Sequence, residues 1–423
     1  MLAPKPASTV TGYTAAFVLP LSLFALWGMG QQLSGVLLPK IAEPLHLRGF
    51  EVTLSQNVPS MIYMICAIPA ALYATRLGYK AAILFGLGCV VLGCFTLYPA
   101  VAIQAHGYFL IAMTTMALGW VFLDVAANPL AASLGPDDRF VWRLNLAQAV
   151  FPVGTIVAIV SEKWLLGTHV IWGAKFTLSA AHPLILLGAA VLLIAWLFEE
   201  KRFPPVAIER TSGGEGVALW SLLSDRLVLF AMAAQAFGII LLITNGGIGG
   251  HYLTTAFHVD ESGPLGDVWF WAALVYATGR LAGCALMRFV SPVRLLAIFA
   301  IAGLACSLIA AVGWTMISGF AVLANQFFAS IMWPTILGLA IRGRGPLTKL
   351  ATALVCMGGA IGTNLYVAMT TAWPSVPTHM GMLIPALCFV AVFGFALAFA
   401  RQEAKAAAGK AAPVSPNIAA LPS

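Results

Sequence analysis

Apolar residues in this chain fall into long runs of about 20 to 28 positions, separated by short polar breaks. A run of that length crosses the hydrocarbon core as a helix, since only then is every backbone N–H and C=O satisfied within the segment. The runs predict twelve spans, at 13–40, 51–76, 80–103, 107–134, 143–165, 176–198, 226–257, 266–288, 292–314, 316–341, 347–372 and 381–401. The ten-residue alternating segments of a membrane β-barrel are absent. Met1–Thr11 is polar and the first run is long, so that run is expected to be the first span and not a cleaved leader.

Composition agrees with a membrane solvent. Hydrophobic residues make up 61% of the chain and charged residues 9%, against roughly 25% charged in soluble domains. The cysteines, Cys66, Cys89, Cys94, Cys284, Cys306, Cys356 and Cys388, all lie inside apolar runs without a C-x-x-C pair. They are expected to be buried structural thiols. The histidines are scattered, and neither H-E-x-x-H nor G-x-S-x-G occurs. No enzyme, metal site or cofactor is expected.

The net charge of +7 is explained by topology, and no nucleic-acid partner is expected. One set of loops holds Arg76, Lys80, Arg139, Arg143, Lys201, Arg202, Arg210, Arg226, Arg288, Arg294, Arg342, Arg344 and Lys349. The termini on that side add Lys5, Arg401, Lys405 and Lys410. The opposite loops hold only Lys40, Arg48, Lys163 and Lys175. The positive-inside rule places the basic loops and both termini in the cytoplasm, as for a multi-pass protein of a bacterial inner membrane, expected to be monomeric.

The longest polar stretch between spans divides the chain. Residues 1–198 form an N-terminal six-helix half, 199–225 a solvated linker, 226–401 a C-terminal six-helix half, and 402–423 a disordered tail. The halves look like distant copies. Asn128-Pro129 in the fourth span answers Trp333-Pro334 in the tenth, and Arg143-Leu144 answers Lys349-Leu350. Parallel six-helix repeats are the build of the major facilitator superfamily. The fold class is therefore expected to be an all-α membrane protein of twelve helices in two pseudo-repeats.

Polar groups inside hydrocarbon are costly and point to a pathway. Asp124 lies about 15 Å from the basic end of the fourth span at 1.5 Å per residue, with Asn128 one turn later. Arg280 lies about 12 Å deep in the eighth span. Two readings of Arg280 stand: a pair with Asp124 across the halves, or a clamp on backbone carbonyls. Asn145 and Gln148 share a face of the fifth span, Asn325 and Gln326 lie in the tenth and Asn364 in the eleventh. Uncharged amides suit a neutral hydrogen-bonding ligand; each can equally be interhelical glue. The first span carries Gly28, Gly30, Gln31, Gln32 and Gly35, and the seventh carries Asn245, Gly246, Gly247, Gly249 and Gly250. Matching glycine clusters point to a binding site between the halves. Trp27, Trp120, Phe151 and Trp333 could offer a flat face to a sugar ring.

At the fourth and fifth spans the stretch Phe122-Leu123-Asp124-Val125-Ala126-Ala127-Asn128-Pro129 runs on to Leu134-Gly135-Pro136, then Arg143-Leu144-Asn145-Leu146-Ala147-Gln148. This resembles the signature of the fucose–galactose–glucose:proton symporters. The likeness extends to Leu26-Trp27, Leu37-Leu38-Pro39, Tyr79-Lys80-Ala81, Gly279-Arg280, Pro334-Thr335 and Leu383-Ile384-Pro385. It implies a secondary transporter for a sugar or similar polyhydroxylated solute, working by alternating access. It also implies roles in substrate and proton handling for the acid at Asp124, where the family usually has Glu, and matches its helix-five glutamine to Gln148 and its first-span tryptophan to Trp27. Three positions depart. Ser34 and Gly35 stand where the family has an Asn-Asp pair whose Asp is central to proton coupling. Phe151 replaces an asparagine, and Met332 a glutamine. Coupling through Asp124, uncoupled transport, transport of a less polar solute and a non-transporting solute sensor on the same scaffold all remain open. The expected substrate-binding set is Trp27, Gln32, Asp124, Asn128, Asn145, Gln148, Phe151, Asn245, Asn325, Trp333 and Asn364, with Arg76, Arg143 and Arg280 as gating or structural charges.

Overall fold

The computed structural model of the chain describes residues 10–42, 50–103, 105–165, 168–171, 174–177, 181–200, 214–257, 268–313, 316–372 and 377–411. Its N-terminal helices are α1 (Val10–Ala42), α2 (Phe50–Ala102), α3 (His106–Ser133), α4 (Phe140–Gln148), α5 (Phe151–Leu165) and α6 (Ala181–Glu200). After a short α7 (Gly214–Leu223) come α8 (Arg226–Phe257), α9 (Val268–Leu286), α10 (Pro292–Val312), α11 (Met316–Ala329), α12 (Met332–Ile341), α13 (Thr348–Ala372), α14 (Thr378–Gly381) and α15 (Leu383–Ala411).

The twelve expected spans are recovered with three local differences. The second and third spans join as the two arms of α2, which break at Gly78 with φ 89° and ψ 169°, a conformation closed to most side chains. The fifth span splits into α4 and α5 just before Pro152, and the tenth into α11 and α12 just before Pro334. A proline ring removes one N–H and crowds the carbonyl four residues back, so both splits have a local cause.

Three expectations need correction. A two-stranded antiparallel hairpin, β1 (Thr168–Ile171) and β2 (Ala174–Thr177), pairs Thr168 with Thr177, and the sixth span starts at Ala181 and not at 176. β-branched Thr168, Val170, Ile171 and Thr177 suit a strand. The expected linker 199–225 contains helix α7, whose Ala218 and Leu222 are buried while Val217 and Trp220 are exposed; its residues 201–213 lie outside the described set. The tail expected to be disordered from 402 continues as helix to Ala411, in a stretch rich in the helix formers Ala, Lys, Gln and Glu. Residues 412–423 lie outside the described set.

The two halves repeat one packing scheme. In the first, α1 crosses α5 and the second arm of α2 packs on α6; in the second, α8 crosses α13 and α10 packs on α15. Small residues make each crossing. A Cβ on Gly28 would lie 2.0 Å from the Phe151 carbonyl oxygen, and one on Gly154 1.9 Å from that of Ala25. In the second half, Gly358 and Gly362 sit equally tight on the Met232 and Ala236 carbonyls, at 2.3 Å each. Lipid gives helices no hydrophobic reason to associate, so close backbone approach supplies the dispersion contact instead. The glycine clusters of the first and seventh spans belong here. Gly30 packs under Trp120 and Gly250 under Trp269, and both helices run through them unbroken. Gly28, Gly30 and Gly250 are packing positions, whereas Gly35 meets nothing within 4 Å.

The halves meet most closely on the side of the basic loops. Trp142 Nε1 donates to the Cys284 carbonyl at 2.9 Å, and the Arg288 guanidinium lies 5.8 Å from the Trp142 ring. Lys349 Nζ lies 4.4 Å over the Tyr79 ring. Within the second half, Asp225 pairs with Arg344 at 2.8 Å. Burial alone would raise the Asp225 carboxyl; the bond and charge of Arg344 and the Leu227 and Val228 amides outweigh it and hold it below its ordinary value. Gly154→Ala is expected to lower thermal stability by about 3 kcal/mol, the upper range for overpacking a core. Gly88→Ala, which meets nothing within 4 Å, should leave it unchanged, as thermal unfolding of the detergent-purified proteins would show.

Candidate functional site

Asp124 is 1% exposed and is the only buried acid among the described residues. Helix α3 places it one turn before Asn128, whose side-chain amide folds back to donate to Asp124 Oδ1 and, at 2.9 Å, to the Asp124 carbonyl. A carboxylate can only accept, so the NH2 of Asn128 faces it and Asn128 Oδ1 is left for another donor. Gln148 Nε2, at the end of α4, fills that place at 2.7 Å. Gln148 Oε1 in turn faces Arg280 Nη1 across a long contact of 3.5 Å. All the N–H donors point from Arg280 toward Asp124. The second carboxylate oxygen, Oδ2, has no hydrogen-bond partner, although Tyr63 and Cys356 stand close enough to interact with the carboxyl.

Arg280, on α9, is also 1% exposed. Its Nη1 donates to the Gln148 main-chain carbonyl at 2.9 Å, and its Nε to that of Ser330 at 2.7 Å. Its Nη2 reaches the Tyr276 hydroxyl oxygen at 2.5 Å, and its guanidinium carbon lies 4.8 Å from that ring. Gln148 and Ser330 each stand four residues before a proline, Pro152 and Pro334. These are the carbonyls whose helical N–H the prolines remove. Of the two readings of Arg280, the structure shows the clamp on backbone carbonyls; it makes no direct pair with Asp124, and Gln148 and Asn128 stand between them.

A cavity of about 230 Å³ opens between the halves. Trp27, Gln31, Tyr63, Asp124, Gln148 and Phe151 line it from the first half, and Ile239, Leu242, Tyr276, Arg280, Trp333 and Cys356 from the second. Trp27 is held against Trp120 at 6.5 Å between centroids, nearly parallel, and meets Phe151 edge-on at 5.9 Å. Its Nε1 is buried without a partner. The wall is thus largely apolar and aromatic, with Gln31, Asp124, Gln148 and Arg280 among its polar members.

Of the expected substrate-binding residues, Trp27, Asp124, Gln148, Phe151 and Trp333 line the cavity. Asn128 lies behind Asp124 as its partner. Gln32 is not in the lining; Gln31 is, because one residue turns a helix by about 100°. Asn145 accepts from Thr335 at 3.2 Å and joins the halves below the cavity, toward the basic side. Asn325 bonds Ser307 at 3.1 Å inside the second half, and Asn364 bonds its own helix at the Ala360 carbonyl, 2.8 Å away. Asn245 is buried with neither side-chain atom partnered and stands outside the lining. Of the charges, Arg280 lines the cavity and Arg76 is exposed at the basic end of its helix. Arg143 caps α3, donating to the Ala132 carbonyl at 2.9 and 2.7 Å and to that of Pro136 at 2.6 Å. Tyr63, Tyr276 and Cys356 were missed. Tyr276 carried a signal, a hydroxyl one turn before a buried arginine; Tyr63 and Cys356 looked like ordinary apolar-run residues.

Two repeated six-helix halves around a central, largely apolar cavity that holds a buried acid and a buried base define a membrane transport protein. The chain belongs to the Major Facilitator Superfamily, which matches residues 20–363. It is 29% identical over 416 residues to the L-fucose-proton symporter of Escherichia coli (strain K12), covering 93% of this chain and 94% of that protein. It is 28% identical over 399 residues to a glucose/galactose transporter of Brucella abortus, covering 88% and 91%. A crystal structure of the transporter FucP in the outward conformation superposes with TM-score 0.79 at 28% identity, over 92% of this chain and 99% of that one. A bacterial homologue of ferroportin in an outward-facing state, 11% identical, shares the fold with TM-score 0.74.

Asn128→Leu leaves Asp124 Oδ1 and the Gln148 amide without partners. It should destabilise the protein by about 2 kcal/mol, the cost of orphaned buried polar groups. Thermal unfolding in detergent checks this against Asn364→Leu, whose amide is only half-buried, with a smaller loss expected.

Proposed function

We propose that this protein moves a sugar or a similar small polyhydroxylated solute across a bacterial inner membrane, together with a proton, by alternating access of its two halves. One observation carries the reading: Asp124, a buried acid, lines a cavity between the halves together with the Trp27 and Trp333 indoles, the Gln31 and Gln148 amides and Arg280. Hydroxyls of a sugar donate well to a carboxylate, its ring lies against an indole face, and the Trp27 N–H suits a ring or hydroxyl oxygen. The named relatives, a fucose and a glucose/galactose carrier, support the substrate class. The relatives named as proton symporters support the coupling. A carboxylate in a dry site carries a desolvation cost that a proton removes, and the site rehydrates when its side opens.

A second reading, uniport, has its own observation. Gly35 is exposed with nothing within 4 Å of a Cβ, so the position at which the resembled family carries its coupling Asp is empty space. In the proposed orientation the basic loops and both termini are cytoplasmic, and the protein works as a monomer.

Uptake of a labelled monosaccharide panel into proteoliposomes tests the reading. A proton gradient should drive accumulation of at least one sugar; uptake that only equilibrates the sugar and ignores the gradient would leave uniport. Asp124→Asn should abolish gradient-driven accumulation and keep some downhill exchange, because an amide still hydrogen-bonds but does not titrate. For topology, a cysteine replacing the exposed Asp138 should react with an impermeant maleimide only after the cytoplasmic face is opened.

A further inference from the structure

We propose that Arg280 is a positioning residue that latches the two halves together on the basic-loop side by occupying two proline-vacated carbonyls, one in each half. The inference deepens the alternating-access reading and rests on it for its role in transport. Its geometry stands on the hydrogen bonds alone.

Proline 152 leaves the Gln148 carbonyl without its helical N–H, and Pro334 does the same to the Ser330 carbonyl. In the membrane interior such an orphan has no water to turn to. Arg280 donates to both, at 2.9 and 2.7 Å. The two bonds differ in kind. Arg280 and Ser330 belong to the same half, so their bond travels with that half as a rigid body. Gln148 belongs to the other half. When the halves rotate apart on the basic side, the Arg280–Gln148 bond must break, and Arg280 keeps its grip on Ser330 and Tyr276.

Gln148 is the residue through which the latch meets the binding site. Its backbone is held by Arg280, and its side-chain amide is spent on Asn128, which holds Asp124. A ligand or proton arriving at Asp124 alters what Asn128 and Gln148 are bonded to. The same residue then loses part of what fixes it next to Arg280. The latch is therefore placed to loosen when the carboxyl is occupied. Arg288 over the Trp142 ring and Lys349 over the Tyr79 ring also join the halves on that side, but as ring contacts; the hydrogen bonds described there, Trp142 on the Cys284 carbonyl and Asn145 with Thr335, are between neutral groups. Hydrogen bonds from a charged donor are stronger than those between neutral groups.

The test reads the separation of the halves directly, without any solute. Fluorophores on unnatural amino acids replace Asp138 and Phe289, both exposed and on opposite halves, in the full-length protein in nanodiscs. Single-molecule energy transfer then gives the ratio of joined to separated basic ends. Arg280→Met should raise the separated share about tenfold, the size of one charge-assisted hydrogen bond. Pro152→Ala should raise it severalfold with Arg280 intact, because the restored N–H competes for the Gln148 carbonyl. The double variant should resemble Arg280→Met, because both changes act on one bond. Should Arg280→Met fail to fold, Pro152→Ala carries the test alone. The proposal is overturned if Pro152→Ala leaves the ratio at its wild-type value, or if the two effects multiply in the double variant. Failure of the transport reading would show separately, as absence of sugar uptake by a wild type whose latch still responds.

Discussion

A charge in a bilayer interior must find partners inside the protein, and this requirement organises the centre of the molecule. Asp124 and Arg280 are both 1% exposed. Direct contact would neutralise them at the least cost, but it would also close the site, since each would saturate the other. Here two amides stand between them. Asn128 satisfies one carboxylate oxygen and passes the polarity on to Gln148, while Asp124 still lines the cavity. The charges remain complementary across the halves while one acceptor stays available to a ligand.

The same requirement governs the backbone. Proline in a membrane helix is tolerated only where something else takes the abandoned carbonyl. At Gln148 and Ser330 that something is one guanidinium, whose planar fork carries several donors in fixed directions. Lysine, a single rotatable ammonium, could not meet both carbonyls and the Tyr276 hydroxyl at once with such geometry. At the helix crossings the problem is only to bring helices close, and glycine solves it between α1 and α5 and between α8 and α13. Chemistry thus concentrates where helices break, and packing where they cross.

What could be seen in the sequence follows the same division. Hydrophobic run length reports burial in lipid directly, so the spans were legible, as was a carboxyl placed deep within one. Tertiary direction was not. Helical phase separates Gln31 from Gln32, and no window of one sequence fixes which of two adjacent glutamines faces a cavity formed with a distant helix. Asn325, Asn364 and Asn145 have the polarity of ligand groups, but the first is satisfied by Ser307, the second by its own helix and the third by Thr335. The glycine clusters misled for a related reason: close approach to a ligand and close approach to a neighbouring helix demand the same residue. Helix α7 was hidden in a stretch read as linker because its apolar run is only part of a ten-residue helix. Arg280 was visible as a buried charge, and its two carbonyl partners followed from Pro152 and Pro334 once the helices were known to meet.

The pairing of one buried acid with one buried base also decides where a membrane voltage acts, on the proposed proton coupling. Arginine keeps its charge throughout. With Asp124 ionised the site is formally neutral; with a proton on it, the site carries one positive charge. The loaded carrier is then the charged form and the empty one is not. A potential negative inside pulls the loaded form inward, by about 2.3 kcal/mol per charge for each 100 mV if the whole field is crossed. A second ionised carboxyl at position 35, as in the resembled family, would shift both states by one negative charge. The loaded carrier would become neutral, and the voltage would instead drive the empty carrier back outward. Glycine at that position therefore does more than remove a proton site. On that proposed coupling, it would move the voltage-sensitive step from the return limb of the cycle to the limb that carries the solute.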